Sequence, residues 1–250
     1  MENKQIQPLA LVTGGGSGIG LAIARKFTEN SIRTIILGRD REKLISAKKL
    51  LGPRCEEIRS DLDQLSTLPG LVDDIQTRFG TITILVNNAG VNLKKEFTEV
   101  TDQEFQQIML TNVSAVFSLS REIVKKMLET GNGSIINISS MASRYGIPKV
   151  IAYTASKSAI EGMTRSMAVD LSPHGIRVNC IAPGFIETEM SSKALNGDQE
   201  RMQKVLSRTP MGILGKPEDI AEAALFFATG ASRFITGTVL PVDGGNSIGF

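Results

Sequence analysis

The sequence predicts a doubly wound α/β fold, a single parallel sheet of about seven strands covered by helices on both faces. Three observations carry this expectation. Short apolar runs alternate with helix-length amphipathic stretches along the whole chain. A glycine cluster, TGGGSGIG at 13–20, sits between the first run and the first helical stretch. Polar or glycine residues follow each of the first six runs, at the strand ends where ligands bind in folds of this kind.

Taken in order, LALV at 9–12 reads as a buried strand, and Leu21, Ala24 and Phe27 share one face of a helix over 18–29. Strand, glycine turn and helix in that order cradle a phosphate. The first amides of the helix are unpaired and point at the anion, and a Cβ in the turn would hold it away. TIIL at 34–37 predicts a second strand, followed by GRD and a helix over 41–51, and the weaker CEEIRS at 55–60 a third, followed by Asp61-Leu62 and a helix over 64–79. ITILV at 82–86 leads into NNAG at 87–90 and one long helix over 102–130. SIINIS at 134–139 ends on two serines before a helix over 151–171, and IRVNCI at 176–181 runs into APGF. A helix over 217–229 precedes TVLPV at 238–242, whose end alone is read as carrying no polar chemistry. The stretch from Gly184 to Gly215, poor in strand formers, is expected to be an irregular, lid-like substrate loop. No linker or repeat interrupts the chain, so residues 1–250 are read as one domain.

Composition narrows the function classes. Apolar residues at 41%, charged residues at 22% and a net charge of +2 are ordinary for a soluble globular protein and leave no basic excess for nucleic acid. MENKQIQP is no apolar signal segment and no run of about 18 apolar residues occurs, so a cytoplasmic protein without membrane attachment is expected. Cys55 and Cys180 read as buried free thiols, and no metal-ligand spacing appears. The single histidine, His174, precedes Gly175 at a helix end and reads as a cap, which leaves no histidine-based triad.

Proton chemistry is available elsewhere. Tyr153 and Lys157 fall on one helix face, a pair suited to protonating a carbonyl oxygen as hydride arrives at its carbon. The ammonium is expected to favour phenolate and lower the tyrosine from its ordinary value of about 10. Ser140, at the end of the fifth run, would hold the substrate oxygen, with Ser139 as the competing serine.

TGGGSGIG, Asp61-Leu62, NNAG, Asn112, Ser140, YTASK at 153–157 and Pro183-Gly184, in this order and spacing, resemble the short-chain dehydrogenase/reductase family from about Leu9 to Gly245. The resemblance implies a Rossmann-type fold and hydride transfer between NAD(H) or NADP(H) and an alcohol or carbonyl. It implies a tetrad of Asn112, Ser140, Tyr153 and Lys157, with Ser140 preferred over Ser139 by its interval to Tyr153, and Asn112 holding a water that links Lys157 to solvent. Cofactor contacts are expected from Thr13, Gly14, Gly16, Ser17, Gly18, Ile19 and Gly20 in the loop, and from Asp61 and Leu62. Asn88, Ala89 and Gly90 follow, then Tyr153 and Lys157, and by analogy Pro183, Gly184, Ile186 and Thr188.

Cofactor choice is read at the end of the second run, where an acid about 20 residues beyond the glycines would bind the ribose 2′-hydroxyl of NAD. The family position of that acid is Gly38, followed by Arg39, whose forked guanidinium suits a 2′-phosphate. NADP(H) is therefore preferred. NAD(H) remains possible through Asp40, and Ser17 stands where many NADP-using members carry a base.

A small-molecule substrate is expected among Ser140, Met141, Arg144 and Ile147, with Asn92, Leu93 and Lys94 beside them and Phe185, Ile186 and Met190 opposite. Arg144 and Lys94 would form a cationic mouth, which favours a sugar acid or polyol as in gluconate-type dehydrogenases. The alternative is a 3-oxoacyl-acyl-carrier-protein reductase, whose carrier would dock on Lys125 and Lys126 alone. A non-catalytic dinucleotide sensor is the alternative of another class. Apolar residues on more than one side of 101–130 and 151–172, among them Phe105, Ile108, Val116, Phe117, Leu119, Ile160 and Met163, point to a homotetramer of the kind common in the family.

Overall fold

A computed structural model describes residues 8–188 and 199–249. All seven strands form where the apolar runs stand: β1 Leu9–Thr13, β2 Arg33–Gly38, β3 Cys55–Arg59, β4 Ile84–Asn87, β5 Gly133–Ile138, β6 Ile176–Pro183 and β7 Val239–Val242. They make one parallel sheet in the order β3-β2-β1-β4-β5-β6-β7. The order reverses between β1 and β4, which opens a crevice at their carboxyl ends.

Both faces of the central strands β1, β4 and β5 are buried, which is why these strands read as continuous rather than alternating apolar runs, whereas the edge strands β3 and β7 are partly exposed. Ala10, Val12 and Ile36 face α1 (Gly18–Glu29), α2 (Arg41–Leu51) and a late helix, Pro217–Ala228, around Phe27 and Phe227. Leu11, Ile35, Leu85 and Ile135 face the opposite way, onto α3 (Leu68–Phe79) and α5 (Ala115–Thr130). Rows of apolar residues such as Leu68, Val72 and Ile75, then Leu119, Ile123 and Met127, bury one stripe of each helix.

Three elements differ from expectation. The long helix over 102–130 is α4 (Asp102–Met109) and α5 joined by a π-helical turn, Leu110–Ser114, that contains Asn112. Apolar periodicity does not register a one-residue widening of the helix, so the break was invisible in the sequence. The helix expected from 64 begins as α3 at Leu68, after a 3₁₀ turn, with Pro69 in its first turn. Within 184–215, residues Gln199–Arg208 form a helix, α7, counted after α6 (Ile151–Leu171); Pro217–Ala228 is α8. Only Val205 of its described side chains is buried, so α7 has little apolar signal. The ends of that stretch are tied together, Glu187 N donating to Gly215 O at 2.8 Å and Gly215 N to Phe185 O at 2.9 Å.

Candidate active site

A cleft of about 630 Å³ lies over the carboxyl ends of β1, β4, β5 and β6. Gly14, Ser17, Gly18 and Ile19 line one end, Asn88, Ala89 and Gly90 the floor, and Pro183, Gly184, Ile186 and Thr188 the far side.

The glycine loop is shaped by close approach. A Cβ on Gly20 would stand 2.3 Å from the Gly14 carbonyl oxygen, so no side chain fits there. Ser17 starts α1 with no side-chain cap and no acid stands in the first turn. The first amides of α1 therefore remain available to an anion, as a dinucleotide diphosphate requires. Thr13 and Gly20 do not line the cleft and support the loop from inside. The Thr13 hydroxyl accepts from Asn88 N at 2.9 Å and Ala89 N at 3.0 Å and donates to Val86 O at 3.2 Å, clamping NNAG to the end of β1.

At the end of β2, Gly38 is followed by the exposed Arg39, and the Asp40 carboxylate accepts from Lys43 N at 3.1 Å as the N-cap of α2. Lys43 lines the cleft, and the sequence reading missed it. The spacing of α2 would have shown it, since Asp40 as cap places position 43 in the first turn beside the glycine loop. Gly16 packs over this turn, its Cβ position 3.4 Å from Lys43 Cβ. After β3, Asp61 accepts from Asp63 N at 3.2 Å in a local turn, and the Leu62 side chain packs in the core.

Ser140 and Tyr153 meet at the other end. The Ser140 side chain stands beside the Tyr153 phenol, where it works to lower the tyrosine, and its hydroxyl accepts from Ala142 N at 3.2 Å. The competing Ser139 points elsewhere, donating to Glu161 Oε1 at 2.8 Å. Lys157 Nζ donates to Ile138 O at 2.8 Å and lies 5.5 Å from the Tyr153 ring centroid. The expected lowering of the tyrosine is reversed. Burial raises Tyr153 above its usual value, against an opposing contribution from Ser140, and burial holds Lys157 down to about 8. Loss of hydration is the leading cause of both shifts.

Asn112 is committed too. Its Oδ1 accepts from Val91 N at 2.8 Å, and its Nδ2 donates to Val91 O at 2.9 Å and Ser156 Oγ at 3.0 Å. Its side chain thus fastens the loop after β4 to α6. Gly90 makes room for it, since a Cβ there would come within 3.2 Å of Asn112 Oδ1 and 3.6 Å of Lys157 Nζ.

The wall beside Ser140 is apolar: Met141, Ala142, Ile147, Val150 and Phe185, with Asn92 at the rim. The expected cationic mouth is not formed by the described residues. Arg144 is turned outward to donate to Val239 O at 3.1 Å, and Lys94 is exposed outside the lining. Met190 lies outside the described residues. Ala142 and Val150 are wall residues that the sequence reading did not name, because burial at a cleft end depends on how two loops meet. The seventh strand end, read as plain, carries Asp243-Gly244-Gly245-Asn246, whose Asp243 backbone packs against Gly184.

A family model described as Enoyl-(Acyl carrier protein) reductase matches residues 14–247. A 3alpha-hydroxysteroid dehydrogenase of Mediterraneibacter gnavus is 37% identical, covering 94% of this chain and 95% of that relative. A gluconate 5-dehydrogenase of Gluconobacter oxydans is 36% identical over 96% and 94%. Among solved structures, an actinorhodin polyketide ketoreductase variant with NADPH superposes with a TM-score of 0.93 at 30% identity, covering 98% of this chain and 99% of that one. The match spans the sheet and the cleft alike, and the chain belongs to the short-chain dehydrogenase/reductase family, oxidoreductases that act on CH–OH or C=O groups with a nicotinamide cofactor.

Proposed function

We propose that this enzyme interconverts a secondary alcohol and a ketone on a neutral, apolar body, with NADP(H) as its cofactor. The observation that carries the reading is the wall of Met141, Ile147, Val150 and Phe185 beside the Ser140–Tyr153 pair, with no charged side chain at that end among the described residues except Lys157. A bound nicotinamide would exchange hydride with the carbonyl carbon. Tyr153 gives or takes the proton at the substrate oxygen, Ser140 orients that oxygen, and Lys157 carries charge beside the phenol. Asn112 holds the loop that floors the cleft. For the cofactor, Gly38 leaves room at the 2′-position, Arg39 and Lys43 supply cations, and Asp40 is engaged as a cap.

The wall favours apolar ketones over the sugar acids or polyols that a cationic mouth would select. A carrier-bound acyl substrate is less well supported, because Lys125 is paired with Glu122 at 2.5 Å and Lys126 with Asp73 at 3.2 Å. A sensor without turnover has no use for Ser140, Tyr153 and Lys157 at one cleft end. The large exposed side chains Phe105 and Phe117 on α4 and α5 support assembly as a homotetramer, and two buried free thiols suit a reducing cytoplasm.

Loss of NADPH absorbance with 4-tert-butylcyclohexanone, a 3-ketosteroid, 5-keto-gluconate and an acetoacetyl carrier tests the reading. The first two should give the highest kcat/KM. Faster turnover of 5-keto-gluconate would return the sugar-acid assignment, and binding of NADPH with no turnover of any would favour the sensor.

A further inference from the structure

The turn after β7 holds a polar side chain with no exposure, Asn246. Its Nδ2 donates to Thr209 Oγ1 at 2.8 Å, just beyond α7, and the Thr209 hydroxyl in turn donates to Val205 O at 2.8 Å. That hydroxyl proton is therefore spent, so Asn246 must turn its amide toward Thr209 and its carbonyl toward Tyr145, whose hydroxyl donates to Oδ1. The Asn246 backbone carbonyl accepts from Arg208 Nε at 3.1 Å, and the Arg208 guanidinium lies 4.1 Å from the Tyr145 ring centroid. Tyr145 also touches Met141 Sδ at 3.2 Å. One buried node thus joins three elements distant in sequence: the end of α7, the C-terminal turn and the turn that follows Ser140.

None of these groups reaches the reacting atoms, yet Met141 lines the cleft next to Ser140. We propose that Tyr145 and Asn246 are positioning residues for the substrate, fastening α7 to the turn that carries Met141 and so setting the width of the apolar end of the cleft. The consequence for substrate rests on the reading of Met141 as a substrate wall given above; the fastening itself does not. The glycine loop expected to hold the cofactor diphosphate lies at the opposite end, around Gly14 and Gly18, and should be indifferent to the node.

Tyr145→Phe and Asn246→Ala test this. Tyr145→Phe keeps the ring beneath Arg208 and removes one hydrogen bond, so it should fold even where Asn246→Ala does not. In cofactor-free protein, amide exchange across 199–211 should quicken about tenfold in Tyr145→Phe while the strands β1 to β6 keep wild-type protection. With 4-tert-butylcyclohexanone and NADPH, KM should rise about fivefold or more, with kcat and the NADPH dissociation constant within about twofold of wild type. Unchanged exchange across 199–211, or exchange that quickens equally throughout the sheet, overturns the node. A KM that stays at the wild-type value while 199–211 loosens overturns its role in substrate positioning. If the wild-type enzyme does not turn over this ketone, the substrate reading above fails, and the exchange measurement still decides whether the node fastens α7.

Discussion

Lys157 donates its ammonium hydrogen bond to the carbonyl of Ile138, at 2.8 Å, at the last residue of β5. One carbonyl does not replace a full hydration shell, so the lysine is held down to about 8 from an ordinary 10.5.

This has a sign that can be measured. Below pH 8 folded and unfolded chains both carry the charge and the burial cost is complete. Between about 8 and 10.5 the unfolded chain binds more protons, so stability climbs with pH. The whole span corresponds to on the order of 3 kcal/mol, less the bond to Ile138. Lys157→Met should therefore raise Tm by a few degrees at pH 6.5, with the gain shrinking above pH 9. A gain independent of pH would refute this account of the buried charge.

Tyr153→Phe should lower turnover by about 10²- to 10⁴-fold while NADPH binding stays within about twofold, because the phenol acts on the substrate oxygen. Since burial raises Tyr153, its acid form persists through neutral pH. Ketone reduction should be level from pH 6 to 8, and alcohol oxidation should accelerate as pH rises. Oxidation that slows with rising pH would exclude Tyr153 as the base.

Arg39→Ala should weaken NADPH by about tenfold and leave NADH nearly unchanged, since a charge-assisted contact to phosphate disappears. Gly38→Asp should shift preference toward NADH by adding a ribose partner and repelling the phosphate. Titration of both cofactors into each variant checks this, and equal losses for the two would dismiss the end of β2 as the selector.

Gly20→Ala places a Cβ 2.3 Å from the Gly14 carbonyl, so the loop must open. We expect a destabilisation of about 3 kcal/mol or more and loss of NADPH binding. Denaturant unfolding that matches wild type would mean that the loop relaxes freely.

Phe117 is half-exposed on α5, with the Arg121 guanidinium 5.4 Å from its ring centroid. If α5 packs against a second copy, Phe117→Asp should shift sedimentation at micromolar concentration to a smaller species with Tyr153-dependent activity reduced. An identical sedimentation profile would remove this face from the assembly.

Periodicity and strand-end chemistry determined the sheet, the glycine loop and the placing of Ser140, Tyr153 and Lys157 near one cleft, because each depends on residues close in sequence or on a rule that ligands meet strand ends. The π-turn at Leu110–Ser114, the helix Gln199–Arg208 and the turning of Arg144 to Val239 were decided only by the tertiary structure. So was the reversal of the tyrosine shift. Where a side chain turns depends on partners distant in the chain: Arg144 finds Val239 on β7, and Asn246 finds Tyr145 across a hundred residues. The charge of Lys157 is likewise governed by how much water the assembled walls exclude, a property of packing in three dimensions that no spacing along one strand or helix contains.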